Sequence, residues 1–307
     1  MEPYTGLVPV NPQQRLHLNM IKGHSPLVDT NVNESLTNLL RTVDLAQLTP
    51  DRWSNTQYTD AFQDWIAHRT FNKVQGLSNF TNACYSAGAS ESIDSFVNRH
   101  VKNRRIRFSV AEYVGAKITC NAAGGIWAFL EGEEIAANDA VVISCPFSGN
   151  GGWYPDFDQL MVQCTELNVP VLIDLSYYGI SYHMHINLDY DCITDVVFSL
   201  SKPMATQLRA GIRFRRQAVD DTMQGNFNIK VYNRIAASLA VGLMKNFPQE
   251  YFANRYGGVS RHFCQQLGLE STPTVTLALG NADHHSEFLR GGYYRVCITD
   301  EILSGVR

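Results

Sequence analysis

Three short runs, AVVISC (140–145), PVLIDL (170–175) and DVVFSL (195–200), constrain this chain more than any other feature. Each is nearly unbroken in its apolar character and rich in β-branched residues. A strand with one face in water alternates apolar and polar residues, whereas a continuous run implies burial on both faces. Between the first two runs, PDFDQLMVQCTELN sets Phe157, Leu160, Met161 and Cys164 on one side of a helix. RIRFSVA, from residue 105, reads as a further strand and AGIRFRR, from 210, as one running antiparallel. This alternation predicts an α/β three-layer sandwich around a mostly parallel central sheet, with a smaller α+β domain beside it. In such sheets ligands bind beyond the carboxyl ends of the strands.

The flanks read less sharply. Residues 1 to 50 are irregular apart from a short helix at 33–46. YTDAFQDWIAHR (58–69) has Phe62, Trp65 and Ile66 at helical spacing. SESIDSFVNRH is a helix capped by Ser90 or Ser92, with Ile93, Phe96 and Val97 inward. Residues 114–128 read as a helix and then a strand, 228–246 as one long amphipathic helix, and YYRVCI (293–298) as a strand. The expected division is a large domain over 50–225 and a small domain built from 1–49 and 226–307.

The 307 residues are 45% hydrophobic and 18% charged, with net charge -4. Nothing in that balance favours nucleic acid or an anionic membrane. The basic run KNRRIRF (102–108) is expected to be a solvated helix end entering a strand. Seven widely spaced cysteines without a C-x-x-C pair predict reduced thiols in a cytoplasmic protein, and no metal site. The first fifteen residues lack the basic start and apolar centre of a signal peptide, and no segment reaches the ~18 apolar residues of a membrane span.

Four features cluster at the predicted strand ends. Asp174 closes VLID. Ser199 and Lys202 follow VVFSL. Arg209 and Gly211 come next, and Ala87-Gly88-Ala89-Ser90 opens a helix. A lysine, an acid and an anion site at a helix N-terminus suit pyridoxal phosphate, which needs an amine for its imine, an acid at its ring nitrogen and a dianion cradle. Partial desolvation lowers a lysine's pKa and makes it nucleophilic.

These stretches resemble the fold-type I pyridoxal phosphate enzymes, in particular the class I/II aminotransferases, over roughly 53–215 and again near 293–298. Ser199-Leu200-Ser201-Lys202 followed by Leu208-Arg209-Ala210-Gly211 is similar to the family's lysine and phosphate-arginine segment. The resemblance implies that Lys202 holds the cofactor as an imine and that Ser199 and Arg209 bind phosphate. Strand VLIDLSYY resembles the D-x-x-Y strand, implying Asp174 at the pyridinium and Tyr177 at the phenolic oxygen. Gly88, Ala89 and Ser90 would be phosphate donors, Tyr113 the ring-stacking aromatic, Arg295 the substrate-carboxylate clamp and Gly23 a backbone neighbour of that carboxylate. Tyr58 is a candidate to reach a neighbouring subunit's phosphate. The family's catalytic residues thus fall on Lys202, Asp174 and Tyr177.

The pattern also departs from the family. Cys145-Pro146 stands where the family has Asn-Pro, and a thiol is a weak donor. The gap from Lys202 to Arg209 is one residue short, Pro203 follows the lysine, and the chain is short for the family. The expected function is transfer of the amino group of an L-amino acid to a 2-oxo acid, in a homodimer with no nucleic-acid or membrane partner. The alternatives are a lyase or decarboxylase on the same machinery, and a non-catalytic cofactor-binding protein.

Overall fold

The structure is a computed structural model describing residues 26–67, 71–204 and 206–305. Its strands in chain order are β1 (Lys73–Gln75), β2 (Asn82–Ser86), β3 (Arg105–Phe108), β4 (Trp127–Phe129), β5 (Asp139–Ser144), β6 (Val171–Asp174), β7 (His185–Asn187), β8 (Ile193–Ser199), β9 (Gly211–Arg215), β10 (Glu270–Ser271), β11 (Leu277–Leu279), β12 (Leu289–Arg290) and β13 (Tyr293–Cys297). Seven of them form one sheet in the order β2-β9-β8-β6-β5-β3-β4. Only β9 runs against its neighbours. A second sheet, β10-β11-β13-β12, is antiparallel throughout.

The three apolar runs are the middle of the large sheet, and their two-residue period explains why they had to be continuous. Ala140, Val142, Leu172 and Val197 face one way, onto Ile93, Phe96 and Val97 of the helix Ala89–His100. Val141, Ile143, Ile173, Val196 and Phe198 face the other way, into the core shared with Phe157, Leu160, Met161 and Cys164 of the helix Phe157–Glu166. Each such side chain contributes about 1.5–3 kcal/mol on burial. A polar residue at any of these positions would be set against one of the two helical layers.

The helix Thr30–Thr42 buries Val32 and Leu36 in the core, and Asp29 anchors its start. Asp29 caps it by accepting from the Val32 amide, and the same carboxylate pairs with Arg255 Nε at 2.9 Å and accepts from Tyr256. The segment is thereby tied to the helix Tyr251–Leu267. No described helix is long and apolar enough to cross a membrane. All seven cysteines are buried and unbridged.

Two expectations need correction. The long helix over 228–246 is two helices, Thr222–Asn228 and Arg234–Asn246. Lys230 lies at φ 61°, which a helix does not admit, and Asn233 starts the second helix by accepting from the Ala236 amide. The basic run at 102–108 is not simply a solvated face. Arg104 donates to the carbonyls of Ala137 and Asp139, Arg105 pairs with Asp139 at 2.8 Å, and the fully buried Arg107 pairs with Asp139 at 2.6 Å. Asp139 opens β5, so its carboxylate fixes the start of that strand beside β3.

Candidate active site

A cavity of about 290 Å³ opens beyond the carboxyl ends of β5, β6 and β8 and the N-terminus of the helix Ala89–His100. The chain reaches that helix through Gly88, at φ +79° and ψ 172°. A Cβ there would stand 3.0 Å from Arg209 Nη2. The glycine therefore meets two needs at once, a backbone angle L-residues rarely adopt and close approach of a guanidinium. Arg209, itself at φ 49°, donates through Nη2 to Ser90 Oγ at 2.9 Å. Its carbonyl is fixed by Tyr85 Oη at 3.1 Å. Gly211 lets β9 close on β8, since a Cβ would lie 2.7 Å from the Phe198 carbonyl. Ala89, Ser90 and Arg209 thus present free amide hydrogens, the positive helix end and a guanidinium at one end of the cavity.

Asp174 ends β6 and lines the cavity. Its Oδ1 accepts from Ser176 N at 2.9 Å and Ser176 Oγ at 2.5 Å, which leaves Oδ2 for a donor in the cavity. Burial pushes its pKa up, with the Ser176 donors and the Lys202 charge opposing. Lys202 follows β8, its Nζ 5.6 Å from the centroid of the Tyr177 ring. Burial holds the amine below the ordinary lysine range, and Arg295 and Arg209 add to the depression while Cys297 and Asp174 oppose it. Tyr177 is 8% exposed, and burial raises its phenol. Ser199 lines the same cavity, its Oγ accepting from the Ser201 amide at 3.2 Å.

The opposite side comes from the small sheet. Arg295 on β13 donates to the Ser148 carbonyl at 2.7 Å and contacts Ser148 Oγ at 3.3 Å. Arg290, on β12, donates to the Glu112 carbonyl at 3.1 Å and also lines the cavity. Glu112 and Arg290 did not stand out in the sequence. Glu112 is buried, and its carboxylate accepts from Ser144 N at 2.7 Å and Ser144 Oγ at 2.7 Å. Burial, partly offset by Ser144 and reinforced by Asp174, pushes its pKa to about 7. The signal for Arg290 was LRGGYYR, a Gly-Gly pair between two short runs, which marks a two-residue hairpin.

Of the expected site residues, the structure gathers Ala89, Ser90, Tyr113, Asp174, Tyr177, Ser199, Lys202, Arg209 and Arg295 around this one cavity, with Gly88 directly behind Arg209. Tyr113 stands at the mouth, 47% exposed. Cys145 does not line it. The thiol is 1% exposed, packed in the apolar core below the sheet ends. The side chain that this loop turns to the cavity is Ser148, three residues on. Tyr58 is fully buried in its own chain and donates to the Gly211 carbonyl at 2.6 Å. Gly23 lies outside the described residues.

No protein-family profile and no curated sequence matches this chain. Solved structures do. Histidinol-phosphate aminotransferase from Clostridium acetobutylicum superposes with a TM-score of 0.62 at 14% identity, over 92% of this chain and 96% of that one. Tyrosine aminotransferase from Leishmania infantum gives 0.62 at 11% identity, over 93% and 90%. The PLP-bound C-S lyase from Staphylococcus hominis, complexed with L-cycloserine, gives 0.59 at 15% identity, over 88% and 82%. Across nearly its whole length this chain has the fold shared by these aminotransferases and C-S lyases, the fold-type I architecture.

Proposed function

We propose that this protein is a pyridoxal phosphate-dependent enzyme acting on α-amino acids, and that it is an aminotransferase. The observation carrying this reading is that Asp174, at the end of β6, and Lys202 and Arg209, from the connection between β8 and β9, line one cavity whose far side holds Arg295. The residues fit the group. Gly88 leaves a cradle that a Cβ would fill, Ser90 and Arg209 supply donors for a phosphate, and Asp174 Oδ2 suits a protonated ring nitrogen. Bound there, the cofactor would supply an electron-withdrawing ring to take up the electron pair of a broken α-carbon bond.

The chain's own residues would do the rest. Lys202, whose pKa burial lowers, offers an amine that can attach the cofactor and move a proton at Nζ. A ring-nitrogen cation beside Asp174 would reverse the effect of burial and hold that carboxylate charged. Arg295, set by Ser148, would orient the substrate carboxylate. Its presence favours reactions that retain that carboxylate.

The second reading is a C-S lyase, supported by the structures of that activity among those that superpose. One experiment separates the two. The purified protein is reconstituted with pyridoxal phosphate, and its absorbance is followed with a panel of amino acids beside Lys202→Ala. A visible band that bleaches with release of a 2-oxo acid, and returns on adding a second 2-oxo acid, establishes transamination. Ammonia, pyruvate and a thiol released from a cysteine S-conjugate establish the lyase. No band in the wild-type protein would remove the cofactor reading altogether.

A further inference from the structure

Arg295 takes its position from Ser148, and Ser148 takes its own from a chain of buried groups. The Ser148 amide donates to Ser144 Oγ at 2.8 Å. Ser144 Oγ lies 2.7 Å from Glu112 Oε1 and 2.9 Å from Oε2. The Ser144 amide donates to Oε1 at 2.7 Å, and the Tyr113 amide to Oε2 at 3.2 Å. Glu112, Ser144 and Ser148 are all buried and all line the cavity. Ser144 and Ser148 thus link the Glu112 carboxylate to the Arg295 guanidinium.

The chain has a direction. An ionised carboxylate accepts and cannot donate. The Ser144 hydroxyl has one proton, and facing Glu112 it must give it there. Its lone pairs are left for the Ser148 amide. This arrangement is costly, because a carboxylate is buried and the Asp174 charge stands against it. Arg290 favours the charge from β12, yet among the described residues no cation forms an ion pair with Glu112. An apolar side chain of similar volume would fill the same space without that cost.

Glu112 also seats the hairpin that carries Arg295. Its backbone carbonyl accepts from Arg290 Nη2 at 3.1 Å, and Arg290 pairs with Tyr293 of β13. The turn between the two strands, Gly291-Gly292, has positive φ at both positions, 55° and 87°. A Cβ on Gly291 would stand 2.5–2.6 Å from Ala111 atoms, including its backbone. Residues 111 and 112 therefore fix the strand of Arg295, while the Glu112 side chain fixes the partner of its guanidinium.

We infer that Glu112 is a positioning residue, which sets through Ser144 and Ser148 the Arg295 guanidinium that receives the substrate carboxylate. The inference rests on the function proposed above for that carboxylate. Without Glu112 the Ser144 hydroxyl is free to turn and Ser148 loses its fixed acceptor. The guanidinium then samples orientations that no longer match the two oxygens of a carboxylate.

The test is calorimetric binding of butyrate, an unreactive monocarboxylate, to the cofactor-loaded protein at about pH 8, where Glu112 is ionised. Glu112→Ala and Ser144→Ala should each weaken binding about 5- to 30-fold, and Glu112→Gln, which keeps an oxygen for Ser144, should stay within about 2-fold of wild type. In an Arg295→Gln background, E112A should change the affinity by less than about 2-fold, because its effect passes through that guanidinium. Should E112A fail to fold, S144A and its double variant with R295Q carry the same test. Affinity that E112A or S144A leaves unchanged, or an equal loss in the wild-type and R295Q backgrounds, overturns the inference. A Glu112 that serves stability alone would lower the melting temperature in E112A and leave butyrate binding where it was. Failure of the cofactor reading shows separately, as no visible band in the wild type, and the same series on unliganded protein then decides the role of Glu112.

Discussion

Arg107 and Arg295 are both arginines on strands, both withdrawn from bulk water, and they have opposite surroundings. Arg107 is fully buried on β3 and meets Asp139 at 2.6 Å, the carbonyl of Glu134 at 3.0 Å and those of Phe129 and Glu133 at 2.8 Å. Arg213 repeats the pattern with Asp221 at 2.6 Å. Among the described residues, Arg295 hydrogen-bonds only to the oxygens of Ser148. The interior charges are closed sets in the sense that each has its counter-charge in the chain itself. The charges of the cavity are open sets, complete only when something else binds. A buried charge thus marks a site by what it lacks, more than by its burial.

The largest effect expected from this contrast is on chemistry. Lys202→Ala should abolish covalent cofactor attachment and lower turnover by at least about 10²–10⁴-fold, because it removes both the amine and the proton carrier. Its thermal stability in the absence of cofactor should be unchanged or slightly higher, since a desolvated amine is lost. Mass spectrometry after borohydride reduction reads the first claim and a melting curve the second. A large loss of stability would place Lys202 among the closed sets and break the comparison.

Asp139→Ala should do the reverse. One carboxylate holds Arg105, the fully buried Arg107 and the Ala136 amide. Removing it leaves an uncompensated guanidinium in the interior, at a cost of about 3–5 kcal/mol. Urea unfolding measures this directly. Arg295→Gln, by contrast, should alter stability by less than about 1 kcal/mol and raise KM about 10- to 100-fold, read from initial rates with whichever amino acid of the panel bleaches the visible band. Equal destabilisation by the two variants would erase the distinction between closed and open charges.

The same contrast explains what could be read in advance. The large sheet was legible because β5, β6 and β8 are buried on both faces, so their composition carries the signal without any partner being known. Lys202, Asp174 and Arg209 were legible because they stand at fixed offsets from those strands. Arg107 was misjudged because a basic run looks solvated until its long-range partner, Asp139, is known to lie beside it. Cys145 was misplaced by three residues in a loop, where no periodicity fixes which side chain faces the ligand. Glu112 and Arg290 sit at the ends of short elements whose positions depend on the packing of Gly291 against Ala111, and nothing local encodes that contact.

Glu112 gives the smallest effect and the finest test, because it belongs to neither set cleanly. It is buried and hydrogen-bonded by Ser144, yet among the described residues no cation forms an ion pair with it, and burial pushes its pKa to about 7 from the ordinary 4.5. The folded state therefore binds the proton more tightly than the unfolded chain does. Between about pH 4.5 and 7 the folded form carries more protons, so stability falls as pH rises through that window and levels off above it. The fall should amount to about 1–3 kcal/mol from this one group, and Glu112→Gln should remove it from the pH-dependence of urea midpoints. Ser144→Ala takes away a donor to the charged form, so it should carry the fall to higher pH. A pH curve that Glu112→Gln leaves unaltered would mean that a neighbouring charge already neutralises the carboxylate. The cavity would then be more nearly closed than its arginines indicate.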